Sequence, residues 1–169
     1  LAHLGTDRID LYLLHWQGPH PLEETLEAFE ALVAAGKILH YGVSNFDVDD
    51  MAEAEAFPGG AAIAANQVMY NLVRRGVERR ILPWCRERDV ALMVYSPLDH
   101  GGLAIAPALR EVAARHGVTP ECVAIAWGMR EAVAASIPKA SSAEHMRANA
   151  AALDLVLDRD DLAALDAAY

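Results

Sequence analysis

Val90-Ala91-Leu92-Met93-Val94-Tyr95, followed at once by Ser96-Pro97-Leu98, is the stretch that decides the fold. It is almost wholly apolar, as a parallel strand covered on both faces should be; a half-solvated strand would alternate. A polar group, Ser96, stands just past its end. The same arrangement recurs in both directions along the chain. Upstream, Ile9-Asp10-Leu11-Tyr12-Leu13-Leu14 ends on His15-Trp16, the run 38–43 ends on Ser44-Asn45, and the run 61–68 closes on Asn66-Gln67. Downstream, the run 132–137 leads to Lys139.

Helical periods fill the gaps. Leu22, Leu26, Phe29, Leu32 and Val33 share one face of a helix over 22–35, which Gly36 stops. Further helices are expected over 48–56, 77–88, 105–116 and 120–130, the last with Pro120 in a permitted first-turn position after Thr119. Short helices at about 143–153 and 159–168 finish the chain, with Asp158 as a cap. Strand starts recur about every 24 to 30 residues over the first four runs, the size of a βα repeat. An α/β fold follows, as an open doubly wound sheet or as part of a closed (β/α)8 barrel.

In either architecture the carboxyl ends of the strands carry the ligand. His15, Ser44, Asn45, Gln67, Ser96 and Lys139 all fall there, so as a set they point to one pocket rim. Taken singly, each has an ordinary structural role as a cap, a turn or a satisfied polar group at the top of the core. A neutral imidazole at His15 is suited to donating a hydrogen bond to a substrate oxygen. Lys139, close to Ser141 and Ser142 and just before a helix, combines a charge, hydroxyl donors and helix amides, the chemistry of a phosphate site. Tyr95 is placed either to stack on a flat ring or to be a core aromatic with a polar tip.

Over 169 residues the chain is 54 % apolar and 22 % charged, which suits one domain with a substantial core and argues against disorder. A formal charge of −10, from 14 basic and 24 acidic residues, argues against nucleic acid and anionic membranes as partners. It leaves room for one local phosphate site. Cys85 and Cys122 read as reduced core residues. No signal peptide and no bilayer-length apolar run is visible, so a cytoplasmic protein is expected. The chain opens on Leu1 almost directly into a strand, as a processed product or a fragment would. No metal is expected, since the histidines make no HxxxH or HxH set. Rossmann and P-loop glycine patterns and the G-x-S-x-G elbow are missing too. A glycosidase pairing of Asp10 with Asp99 is a weak alternative that nothing in the sequence supports.

Six segments in combination resemble the aldo-keto reductase superfamily: 9–16 (IDLYLLHW), 36–38 (GKI), 42–46 (GVSNF), 66–68 (NQV), 95–98 (YSPL) and 137–139 (IPK). The resemblance covers the entire chain and is strongest to bacterial members acting on small aldehydes and ketones. It implies a partial TIM (β/α)8 barrel: strands four to eight with their helices and extra terminal helices, residues 1–169 being the C-terminal part. It also implies a cofactor, NADP(H) with NAD(H) as the alternative, and a small carbonyl substrate. His15 resembles the histidine that orients the carbonyl. Ser44, Asn45 and Gln67 resemble the residues that hold the nicotinamide carboxamide, and Tyr95 the aromatic that stacks on its ring. Ser96 and Leu98 resemble the lining of the diphosphate path. Lys139, Ser141, Ser142, His145 and Asn149 resemble the adenosine-phosphate end.

Two departures bear on the cofactor. Ala140 stands where the family commonly has serine, and His145 where it often has arginine. Both imply a weaker preference for NADP over NAD. A third departure bears on the reaction. The family's acid tyrosine, with its lysine and aspartate, belongs to the first half of the barrel, and no residue here matches them. Hence the intact protein is expected to be an oxidoreductase and a monomer. A chain truly this short is expected to be a reductase half-barrel prone to self-association. The alternative for it is an inactive nucleotide-binding or structural subunit.

Overall fold

The computed structural model describes residues 1–103 and 105–169. Five strands, β1 (Ile9–Leu14), β2 (Ile38–Ser44), β3 (Ile63–Met69), β4 (Ala91–Tyr95) and β5 (Ala134–Ser136), stand side by side in the order β1-β2-β3-β4-β5. Sequence order without reversal is that of a barrel wall, not of a doubly wound sheet, whose order turns back at a switch point. Helices intervene: α1 (Leu22–Ala34), α2 (Val48–Glu55), α3 (Ile81–Glu87), α4 (Pro107–His116), α5 (Pro120–Gly128), α6 (Ala143–Ala150) and α7 (Arg159–Ala168). By internal contacts the chain divides into two compact units, residues Leu1–Val68 with Arg79–Leu92, and Met69–Glu78 with Met93–Tyr169.

In the first unit β1 and β2 run parallel with Leu14 opposite Val43, and β2 and β3 run parallel with Val43 opposite Asn66 and Ser44 opposite Gln67. The apolar face of α1, with Leu22, Leu26 and Phe29 buried, packs in this unit, and Phe29 meets Tyr41 at a ring distance of 5.4 Å. Gly36 takes φ 67 and ends α1, its N–H donating to Val33 O and the next N–H, of Lys37, to Leu32 O. The Tyr41 hydroxyl lies 2.6 Å from Gly59 O and 2.5 Å from Glu30 Oε1. Burial first, and then the Glu30 carboxylate, push this phenol well above its ordinary range.

The second unit is built on the buried stretch Cys122–Gly128 of α5. Thr119 Oγ1 caps that helix by accepting from Cys122 N at 3.2 Å. The Trp127 ring is fully buried, 5.0 Å from Tyr70 and 3.8 Å from the Arg130 guanidinium. Glu78 accepts from Tyr70, Arg75 and Arg130; burial opposes its ionisation, but those donors win and hold its carboxyl below the usual range. The N-terminal end of α7 is closed by a reciprocal box between Asp158 and Asp161. Asp161 is 1 % exposed and also pairs with Arg115 and His116 in the last turn of α4. Burial alone would raise its carboxyl, yet these partners bring it down to about 2.

Three expected boundaries shift for local reasons. Instead of one helix over 77–88 there is a 3-10 turn, Gly76–Arg79, and then α3 from Ile81. Pro83 lacks an N–H and its ring clashes with a preceding carbonyl, so the helix starts late enough to hold Pro83 in its first turn. The run expected from 61 begins with a 3-10 turn, Gly60–Ala62, and pairs only from Ile63. The run 132–137 is strand only over Ala134–Ser136. Among the described residues no helix is long and apolar enough to cross a membrane.

Candidate functional site

In the first unit the sheet register places Ser44 level with Gln67, and His15 is one residue past Leu14, which is level with Val43. His15 is exposed, its ring edge-on to Trp16 at 5.7 Å. The turn after β2 is tied to β3 through a single main-chain atom. The Gln67 carbonyl accepts from Asn45 N at 2.8 Å and from Ser44 Oγ at 2.9 Å. Asn45 Nδ2 in turn donates to Ser44 Oγ at 3.2 Å. Asn45 holds φ 61, a left-handed backbone that costs a residue with a Cβ about 1–2 kcal/mol and that asparagine tolerates better than most. Gly42 allows the close strand approach beneath it: a Cβ there would lie 2.4 Å from Ala65 O. Buried Asn66, which the sequence places only as Gln67's neighbour, donates through Nδ2 to Phe46 O at 2.8 Å and so fixes the far side of the same turn.

The second unit contains two adjoining cavities. One, about 460 Å³, is lined by Ser96, Leu98, His100, Pro138 and Lys139. The other, about 400 Å³, is lined by Leu98, Thr119, Glu121, Lys139, His145 and Asn149. Leu98 and Lys139 line both, so the two spaces adjoin at these side chains. The turn after β4 is strained, with Ser96, Asp99 and His100 at φ 51, 46 and 57. Three such residues together store a few kcal/mol, roughly 1–3 each, and persist only where their surroundings over-determine them. Ser96 Oγ lies 3.1 Å from His100 Nε2, and Asp99 Oδ1 accepts from Arg74 Nε at 3.2 Å. Tyr95 is half-buried at the end of β4, and its carbonyl accepts from Tyr70 N at 3.5 Å.

Five expected residues thus meet along the cavities: Ser96, Leu98, Lys139, His145 and Asn149. Ser142 has a local task, since its Oγ accepts from His145 N at 3.1 Å and caps α6. Ser141 is exposed just before it. Sequence reasoning read Asn66 only as one of the polar pair closing the third run and missed Asn71, His100 and Glu121. Of these three, only Asn71 had a usable signal, as a polar residue shortly after the end of β3. Both thiols are buried, which pushes Cys85 up to about 11, raises Cys122 as well and disfavours the thiolate form of each.

The arrangement offers amide and hydroxyl groups beside a strand end in one unit. In the other it offers two adjoining cavities that share Lys139 in their linings. The model of the aldo/keto reductase family matches residues 1–169. Methylglyoxal reductase YeaE of Escherichia coli (strain K12) is 43 % identical over 174 residues, covering 100 % of this chain and 61 % of the relative. Methylglyoxal reductase DkgB of Escherichia coli O157:H7 is 32 % identical, covering 98 % and 63 %. Among solved structures, an aldo/keto reductase from Klebsiella pneumoniae in complex with NADP and acetate superposes with a TM-score of 0.95 at 44 % identity, over 99 % of this chain and 61 % of that one. The chain therefore spans a little over three-fifths of the length of these relatives.

Proposed function

Because the chain belongs to the aldo/keto reductase family, we propose that it is the C-terminal part of an oxidoreductase for small aldehydes, ketones or dicarbonyls, contributing barrel strands four to eight. The carrying observation is the adjoining pair of cavities that share Lys139 in their linings. Their volumes, about 460 and 400 Å³, and the Lys139 ammonium that borders both suit a dinucleotide's diphosphate and adenosine phosphate, and the Klebsiella relative is described with NADP. When bound, NADP(H) or NAD(H) supplies or accepts the hydride.

The chain's own residues then take the following parts. The Lys139 ammonium neutralises phosphate charge, with Ser141 and Ser142 hydroxyls as donors; Ser142 Oγ accepts at the α6 cap and keeps its proton to give. Asn149 lies by the adenosine. Ser96 and Leu98 border the diphosphate. Ser44, Asn45 and Gln67 present matched donors and acceptors to the nicotinamide carboxamide, and Tyr95 covers its ring. The imidazole of His15 donates to the substrate oxygen and orients the carbonyl carbon.

Specificity at the phosphate end is relaxed in this reading. His145 is shorter than arginine and lacks its planar fork of donors, and Glu121 brings a carboxylate to the same cavity. A 2′-phosphate gains less there than in a pocket with a guanidinium, and a ribose diol loses less.

Tyr41, Tyr70 and Tyr169 do not suit the part of proton donor to the carbonyl oxygen. The Tyr41 and Tyr70 hydroxyls are engaged with Glu30 and Glu78, and both phenols are pushed far above neutrality, chiefly by burial. Tyr169 Oη accepts from Ala106 N. General acid help is worth roughly 10²- to 10⁴-fold, so this chain by itself binds the cofactor without efficient turnover.

Titration of the purified chain with NADPH, read by nicotinamide fluorescence and followed by a methylglyoxal reduction assay, tests both halves. Binding without turnover is expected. Failure to bind at millimolar NADPH sinks the nucleotide reading, and brisk turnover sinks the claim about the proton donor.

A further inference from the structure

Asn71 stands just past the end of β3 and is fully buried. Its side chain is saturated in two directions. Oδ1 accepts from Val73 N at 3.1 Å and Arg74 N at 2.9 Å, which closes a tight local turn. The backbone of Asn71 also exchanges hydrogen bonds with Arg74, at 3.3 and 3.1 Å. The turn is therefore complete through the acceptor side and the main chain. Nδ2 serves a different end: it donates to the Ser96 carbonyl at 3.0 Å, across 25 residues of sequence.

Ser96 holds a left-handed φ of 51 and opens the loop whose Leu98 and His100 line the larger cavity. A serine in that conformation returns to the extended region unless something outside the loop fixes its peptide. Its side chain does not supply that hold, because Oγ faces His100 within the same loop. The carbonyl of the strained residue accepts from Asp99 N within the loop at 3.0 Å, and the Asn71 amide grips the same oxygen from outside the loop.

We propose that Asn71 is the positioning residue of the diphosphate cavity, its side-chain N–H fixing the Ser96 peptide so that the loop after β4 keeps a shape able to take a phosphate. This rests on the reading of that cavity as a dinucleotide site. Asn71 touches no ligand and acts through Ser96.

Asn71→Asp separates the two halves of the side chain, since it keeps an acceptor for Val73 and Arg74 and loses the donor to Ser96. In the labelled, unliganded chain, the Ser96 and His100 Cα and Cβ chemical shifts should leave the left-handed pattern while those of Val73 and Arg74 stay. NADPH affinity should fall at least tenfold, and affinity for 2′,5′-ADP, which needs only the adenosine end, should stay within twofold. Ser96 shifts unchanged in N71D would overturn the proposal, as would equal losses for both nucleotides. If N71D does not fold, N71S carries the same comparison. An unaltered chain that binds neither nucleotide refutes the dinucleotide reading and the proposal's claim on the diphosphate. The Ser96 shifts then still report separately whether Asn71 holds the loop.

Discussion

Replacing Asp161 by Asn removes one charge from a buried position and keeps its shape. The introduced amide oxygen can still accept a capping hydrogen bond, so the loss is chiefly that of the ionic contacts with Arg115 and His116. The Asp161 carboxyl is brought from 3.8 to about 2, a difference just under two pH units. At 1.36 kcal/mol per unit this corresponds to roughly 2.4 kcal/mol of folding free energy. The Arg115 side chain is 51 % exposed, however, so solvent screens much of its share. About 1–2 kcal/mol is the working figure. The folded value lies below the unfolded one, so the native state binds fewer protons. The stabilisation is present in full above the unfolded value and fades as the pH falls through about 2. Roughly half should be gone at pH 3. Urea denaturation of parent and D161N at pH 7 and pH 3 measures this. The deficit of the variant should shrink between the two, with unchanged dependence on urea. A deficit below about 0.3 kcal/mol at pH 7, within the scatter of ordinary surface changes, would refute the reasoning. So would a deficit that is the same at both pH values.

Three further perturbations follow from particular contacts. Gly42→Ala puts a Cβ 2.4 Å from Ala65 O and 2.7 Å from Leu13 Cδ2; a loss of about 1–3 kcal/mol and a looser Ser44–Gln67 link are expected, and wild-type thermal melting would contradict it. His145→Arg should raise the preference for NADP over NAD about tenfold, or about 1.4 kcal/mol, in the ratio of dissociation constants; an unchanged ratio would remove His145 from the phosphate end. Thr119→Ala takes the cap acceptor from Cys122 N and should cost about 1 kcal/mol in chemical denaturation, with a marginal effect counting against the cap.

The strands were legible as short apolar runs ending on a polar residue, a signal that turns and caps do not mimic. In β4 Leu92 and Val94 are fully buried, but Ala91 is exposed and Met93 and Tyr95 are half-buried, so one face is covered more completely than the other, where the apolar run implied cover on both. Element starts were less legible, because they depend on single residues that veto a conformation. Pro83 delays α3, and the turn at Gly59 and Gly60 delays β3. Gly60 is fixed there because a Cβ would fall 1.7 Å from Ala54 O. Polar residues past strand ends could be read from pattern alone, and Ser96 and Lys139 do line one cavity. What supports them could not. The bond from Asn71 to Ser96 spans 25 residues, and the one from Asn66 to Phe46 spans 20. No local sequence pattern encodes a partner at that distance. Ser142 shows the opposite difficulty: a serine before a helix looks the same whether or not its oxygen caps an amide, and here it accepts from His145 N.

The turn after β2 hangs on the main-chain oxygen of Gln67, not on its amide. The side chain at position 67 is thereby separable from the turn: it can be exchanged while the main-chain oxygen that holds Ser44 and Asn45 keeps its place. Proline at 68 would be the disruptive choice, since it rewires the backbone that carries the anchor.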